Sequence, residues 1–186
     1  MKELLRLFIA INFSEDIKSD LFHLTEILKK NSSRGHFTAR ENFHLTLAFI
    51  GETKDREQVI QAIDNAVDKG RIREFLLEFG GFGRFKGRDG DIFWVGVEKN
   101  PILTELNNEL VRALKTLEFK VDDKEFKPHL TLGRGIVLKN GYTIKDFEQI
   151  ISLMSMEVKE IGLMKSERIN GRLIYTEIYN KRLFVI

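Results

Sequence analysis

The chain has 186 residues, 42% hydrophobic, 31% charged and 10% aromatic, which is enough apolar material to build a core without covalent staples. Its 30 Lys and Arg nearly balance 28 Asp and Glu, and the net charge of +2 argues against a histone-like, non-specific nucleic-acid binder while leaving room for a local basic cleft. The absence of cysteine excludes disulfides, thiolate catalysis and Cys-based zinc sites, and suits a reducing compartment.

The N-terminal "LLRLFIAINF" is rich in β formers, carries charge at Glu3 and Arg6, and lacks a small-residue cleavage site, so it reads as a core strand rather than a signal peptide. No segment approaches the ~18 consecutive apolar residues of a membrane span. A cytoplasmic protein with no membrane attachment is expected. Ser14 is a candidate N-cap, followed by Glu15 and Asp16 and by apolar residues at helical spacing, which predicts a helix over 15–30. "NSSRG" reads as a polar loop, and 43–51 as a strand. A second helix is predicted in "TKDREQVIQAIDNAVDKG", with Asp55 and Gln58 resembling a capping box and Gly70 as its terminating glycine. "REFLLEFGGFGRFK" and "DIFWVGVEK" then form a hairpin turned by "GRDG". Asn100-Pro101 opens a third helix with the stripe Ile102, Leu103, Leu106, Leu110, Leu114 and Leu117. A strand over 127–137, a short helix near 146–155, and two closing strands in "EVKEIGLMKSER" and "LIYTEIYNKRLFVI" complete the order.

One tetrapeptide, His-Leu-Thr-Leu, occurs twice, starting at His44 and at His129, 85 positions apart. Each copy follows a long helix and precedes another. This predicts an α+β fold of two pseudo-symmetric lobes, each an antiparallel sheet packed with helices, around a central cleft, with 1–186 as one domain. The hairpins favour antiparallel sheets over a doubly wound parallel one.

On a strand, residues i and i+2 share a face roughly 6.5–7 Å apart. His44, Thr46 and Ala48 therefore share one face, with Phe43, Leu45, Leu47 and Phe49 expected in the core. His129, Thr131 and Gly133 share another, opposite Leu130 and Leu132. Two such strands facing each other bring together two imidazoles, two hydroxyls and, at Ala48 and Gly133, space for something bulky. That set suits a phosphodiester. One neutral imidazole takes a proton from water, the other as imidazolium protonates the leaving oxygen, and the threonines donate to the non-bridging oxygens, with no cofactor or metal required. Arg134 adds a cation whose fork of donors matches phosphate. In a regular strand it points away from His129, so the flanking Gly133 and Gly135 predict a bulge that turns it into the cleft.

Two histidines do not complete a zinc site, and threonine is a poor ligand. His23 reads as a surface residue on a polar helix face. His36, in the loop before the first motif strand, and Lys127, before the second, are candidates for the cleft edge. "GGFGRFKG" lacks the Gly-Lys-Ser/Thr ending of a phosphate loop and reads as strand bulges.

The paired "HLTL" motifs, with "LRLFIAINF", "ENFHLTLAFIGE", "GFGRF…IFWVGV" and "KPHLTLGR", resemble the 2H phosphoesterase superfamily over nearly the whole chain. The similarity is to its RNA 2′,3′-cyclic phosphodiesterase branch, also called bacterial and archaeal 2′-5′ RNA ligases. "TAREN" is a departure, since relatives often carry a proline there. The resemblance implies metal-independent hydrolysis of an RNA-terminal or nucleoside 2′,3′-cyclic phosphate to a 2′-phosphate. It implies His129 as general base, His44 as general acid, and Thr46, Thr131 and Arg134 as phosphate ligands. The residues alone leave the two histidines nearly equivalent, with Arg134 lowering the pKa of a nearby imidazole and so favouring His129 as the neutral base. The alternatives are 2′-5′ ligation in the same site and a non-catalytic nucleotide- or RNA-binding module. The expected partners are RNA 3′ ends or small cyclic nucleotides as substrate, with no obligate protein partner, and the expected state is a monomer.

Overall fold

A computed structural model describes residues 3–121, 125–148 and 154–185. The elements are β1 (Leu5–Asn12), α1 (Glu15–Lys30), β2 (Ser32–Phe37), β3 (His44–Thr53), α2 (Arg56–Gly70), β4 (Phe75–Phe85), β5 (Asp91–Val97), α3 (Pro101–Thr116), β6 (His129–Leu138), α4 (Ile144–Glu148), β7 (Met154–Val158), β8 (Glu160–Ile169) and β9 (Arg172–Arg182). They form two sheets, ordered β3-β1-β8-β9 and β2-β6-β5-β4-β7. Every strand pairing in both sheets is antiparallel. None of the helices among the described residues is long and apolar enough to cross a membrane.

The duplicated motif corresponds to a duplicated unit of strand, helix and motif strand: β1, α1 and β3, then β5, α3 and β6. In each, the motif strand lies antiparallel beside the unit's first strand, with His44 opposite Asn12 and His129 opposite Gly96. The helices are exchanged between sheets. α1 leaves the four-stranded sheet and packs on β2, β6 and β7 of the other, whereas α3 leaves the five-stranded sheet and packs on β3 and on α2. Each lobe is thus closed by a helix belonging to the other unit, and buried apolar residues of both sheets form one large continuous cluster, with Phe8, Ala10 and Met164 in a second, smaller one.

Local chemistry explains the boundaries. Ser14 caps α1, its Oγ accepting from the Ile17 N–H, and Asn100 caps α3, its Oδ1 accepting from Leu103 N–H at 3.0 Å. Several expectations need correction. Asp55 precedes α2 but makes no side-chain capping bond, and the left-handed residue after this helix is Arg71 (φ 47°), with Gly70 still inside. "NSSRG" is not merely a loop: Ser32–Phe37 form β2, an edge strand held by β6. Its polar, irregular sequence lacks alternation, so backbone pairing makes it a strand, not burial. α4 is described over Ile144–Glu148, starting two residues earlier than expected, and Met154 lies in β7. The remainder of the predicted 146–155 helix falls outside the described residues.

The largest correction concerns Phe49. Phe43, Leu45 and Leu47 are buried as expected, but Phe49 is 66% exposed and Ala48 is buried. Ala10 pairs with Thr46 and Ile9 with Ala48, which leaves Leu47 as an unpaired bulge. One extra residue reverses the alternation beyond it.

Candidate active site

β3 and β6 meet across a cleft of about 1690 Å³, whose walls include His44, Thr46, His129, Thr131 and Arg134. All five side chains singled out in the sequence line this one space, as do His36 and Lys127. His23 is exposed on α1, away from it.

The imidazoles are held the same way. His44 Nδ1–H donates to the Asn42 carbonyl at 2.8 Å, and His129 Nδ1–H to the Lys127 carbonyl at 2.7 Å, in each case the residue two positions earlier. A carbonyl can only accept, so Nδ1 carries the hydrogen and Nε2 of each neutral ring carries the lone pair. The His44 lone pair accepts from the Thr46 hydroxyl at 3.0 Å.

Their surroundings differ. His44 lies 4.8 Å from Phe8 and 5.1 Å from Tyr175, ring centre to ring centre. Burial there pushes its pKa below the ordinary imidazole value, only partly offset by the Asn42 carbonyl. His129 stands edge-on to Phe85 at 5.2 Å, with Trp94 at 6.3 Å. A Cβ on Gly83 would collide with the Trp94 indole, so this glycine lets the ring lie flat across β4. Gly81 (φ 74°) sits within the bulge between Phe79 and Phe82, in line with the bulge reading of "GGFGRFKG".

β6 is bulged like β3. Trp94 pairs with Thr131 and Phe93 with Gly133, leaving Leu132 unpaired; Asp91 pairs with Ile136, and Gly135 has φ 62°. This break carries the exposed Arg134 to the cleft, near Tyr175, whose pKa is raised by burial but lowered by the guanidinium. The expected space at Gly133 is filled instead: an added Cβ would lie 2.8 Å from the His36 carbonyl and from Ile136 Cδ1. His36 belongs to β2, where it pairs with Arg134, and not to a loop. Arg40, within "TAREN", anchors a 3-10 turn (Arg40–Asn42) to α1 through Glu15 at 2.9 Å and Ser19 at 2.9 Å.

Sequence reasoning missed the aromatic walls. Phe8 and Tyr175 come from β1 and β9; Phe8 lies between the buried Leu7 and Ile9, whereas Tyr175 has no buried neighbour on β9 to mark it. No group of three or more His, Cys, Asp or Glu side chains among the described residues could hold a metal.

Residues 16–170 match the 2′-5′ RNA ligase superfamily. A protein of Archaeoglobus fulgidus named RNA 2′,3′-cyclic phosphodiesterase is 32% identical over 87% of this chain and 91% of its own length. One of the same name from Thermotoga maritima is 34% identical over 70% of each chain. The crystal structure of Escherichia coli LigT complexed with 3′-AMP superposes with a TM-score of 0.74 at 28% identity, covering 97% of this chain and 99% of that one.

Proposed function

From the premise that this chain belongs to the 2′-5′ RNA ligase superfamily, we propose that it hydrolyses an RNA-terminal 2′,3′-cyclic phosphate to a 2′-phosphate by two-histidine general acid–base catalysis, without a metal. The observation that carries this reading is the pair of imidazoles on equivalent strands of one cleft, each with Nδ1–H tied to a backbone carbonyl so that Nε2 is left for proton transfer.

His129 is the general base. Its Nε2 lone pair removes a proton from the water attacking phosphorus. His44 is the general acid and delivers a proton to the departing ribose 3′ oxygen. Burial against Phe8 and Tyr175 makes its imidazolium a stronger acid than free imidazolium. Protonation of Nε2 also reverses its bond to Thr46, and the freed hydroxyl hydrogen can turn to a non-bridging oxygen. Thr131 and Arg134 hold the phosphate from the other strand, the guanidinium compensating the charge that grows on it. The 1–186 chain acts as one two-lobed domain, a cytoplasmic monomer whose substrate is an RNA 3′ end or a small cyclic nucleotide. Ligation runs through the same site when a 5′-hydroxyl replaces water and is the minor reaction.

The test is a short RNA ending in a 2′,3′-cyclic phosphate, incubated with the protein in EDTA. The expected product is a 2′-phosphate at a rate unchanged by the chelator. A 3′-phosphate, or activity lost in EDTA and restored by added metal, would overturn the proposal.

A further inference from the structure

Both motif strands carry a bulge at the same place, three residues after the histidine: Leu47 in β3 and Leu132 in β6. An unpaired bulge leaves backbone groups without ladder partners, and a buried carbonyl needs a donor. In β3 the Leu47 carbonyl accepts from Asn107 Nδ2 at 2.8 Å. Asn107 is 7% exposed, on the core face of α3 between Leu103, Leu106 and Leu110, where an apolar residue would pack as well and would leave that carbonyl unmet. In β6 the Leu132 carbonyl accepts from the Thr38 backbone N–H at 2.9 Å, which continues the β2 pairing and which any residue but proline would supply, while the Thr38 side chain holds the neighbouring Thr131 carbonyl through its hydroxyl at 2.8 Å.

The donors are crossed between the repeats. Asn107 lies on the helix that leads to the second motif yet holds the first. Thr38 lies on the segment that leads into the first motif yet holds the second. The geometry points to Asn107 and Thr38 as positioning residues that fix the bulges of the two motif strands, and with them the aim of His44 and His129 into the shared cleft. The inference rests on the two-histidine reading above. Both residues border the cleft, but the side-chain donor of each is committed to a backbone carbonyl. Each acts on a backbone carbonyl at or next to a motif threonine, and a shift of about 1 Å in a catalytic group is enough to cost on the order of 100-fold in rate.

The test compares Asn107→Leu and Thr38→Val with Asn107→Gln and Thr38→Ser, which keep the donor. Two readouts are followed: turnover of a 2′,3′-cyclic nucleotide, and the imidazole ¹⁵N signals of the free protein. Asn107→Leu is expected to lower kcat by about 10- to 100-fold with KM little changed, and to move the His44 signals while leaving those of His129 in place. Thr38→Val should do the reverse to the signals, with a similar fall in kcat. The donor-keeping variants should recover a large part of both. Thr38 sits at a strand end and is only partly buried, so its pair remains informative if Asn107→Leu does not fold. Variants with a lower melting temperature but unmoved imidazole signals and wild-type kcat would overturn the inference. Moved signals in a protein inactive on every cyclic phosphate would overturn the phosphodiesterase reading and leave the positioning intact.

Discussion

His129→Ala is expected to lower kcat/KM on a 2′,3′-cyclic phosphate by about 100- to 10,000-fold, and His44→Ala by a similar factor, the range that a positioned proton donor or acceptor contributes. The reason is geometric. Each Nδ1–H is committed to a backbone carbonyl, so the other nitrogen is the only one that can exchange a proton with substrate. The two groups work on opposite sides of one phosphorus, so the double variant should be little worse than either single one. Steady-state kinetics beside a thermal melt separates the outcomes. Both imidazoles are half-buried and each packs on two aromatic rings, His44 on Phe8 and Tyr175 and His129 on Phe85 and Trp94, so either removal also takes away some packing, which the melt reads separately from turnover. Wild-type turnover in either folded variant would mean that the motif frames a binding site and performs no chemistry.

Arg134→Ala is expected to lower kcat/KM by about 100- to 1,000-fold, the effect of removing one preorganised donor from a site where negative charge develops. Arg134→Lys should recover only part of this, because an ammonium cannot replace the planar fork against two phosphate oxygens. The backbone break at Gly133–Gly135 carries the side chain to the cleft, where its charge already acts on Tyr175. Full activity in Arg134→Ala, measured by the same assay, would remove the guanidinium from the phosphate site.

Much of this was legible in the residues. Period-2 alternation put His44 with Thr46 and His129 with Thr131 on common faces, and glycines on both sides of Arg134 marked the irregularity there. Other features had no local signal. The alternation of "HLTLAF" assigns Phe49 to the core, and only the pairing of β3 with β1 reveals the extra residue at Leu47 that turns Phe49 outward. β2 has no apolar pattern, since it is an edge strand made by the backbone groups of β6. Asn107 did leave a trace, a polar residue on the buried stripe of α3, but its partner lies 60 positions away on another element. The near-identity of the two motifs also hides their asymmetry. That arises from the strands around each motif: Phe8 of β1 and Tyr175 of β9 stand against His44, where burial lowers its pKa, while Phe85 of β4 and Trp94 of β5 stand against His129.

The division of labour between the histidines is tested most directly by the pH dependence of kcat/KM and of kcat for hydrolysis of a 2′,3′-cyclic nucleotide. kcat/KM follows the free enzyme and kcat the substrate complex. The account predicts a bell in both. Hydrolysis requires the His129 Nε2 lone pair and a proton on His44 Nε2, so the rate falls at both extremes of pH. In the free enzyme burial holds the His44 pKa below the ordinary imidazole value, which displaces the kcat/KM bell toward lower pH. A bound phosphodiester anion favours the imidazolium, so the bell of kcat should lie at higher pH. The residual activity of His44→Ala should lack the alkaline limb. A rate independent of pH, or an alkaline limb that survives in His44→Ala, would contradict the account.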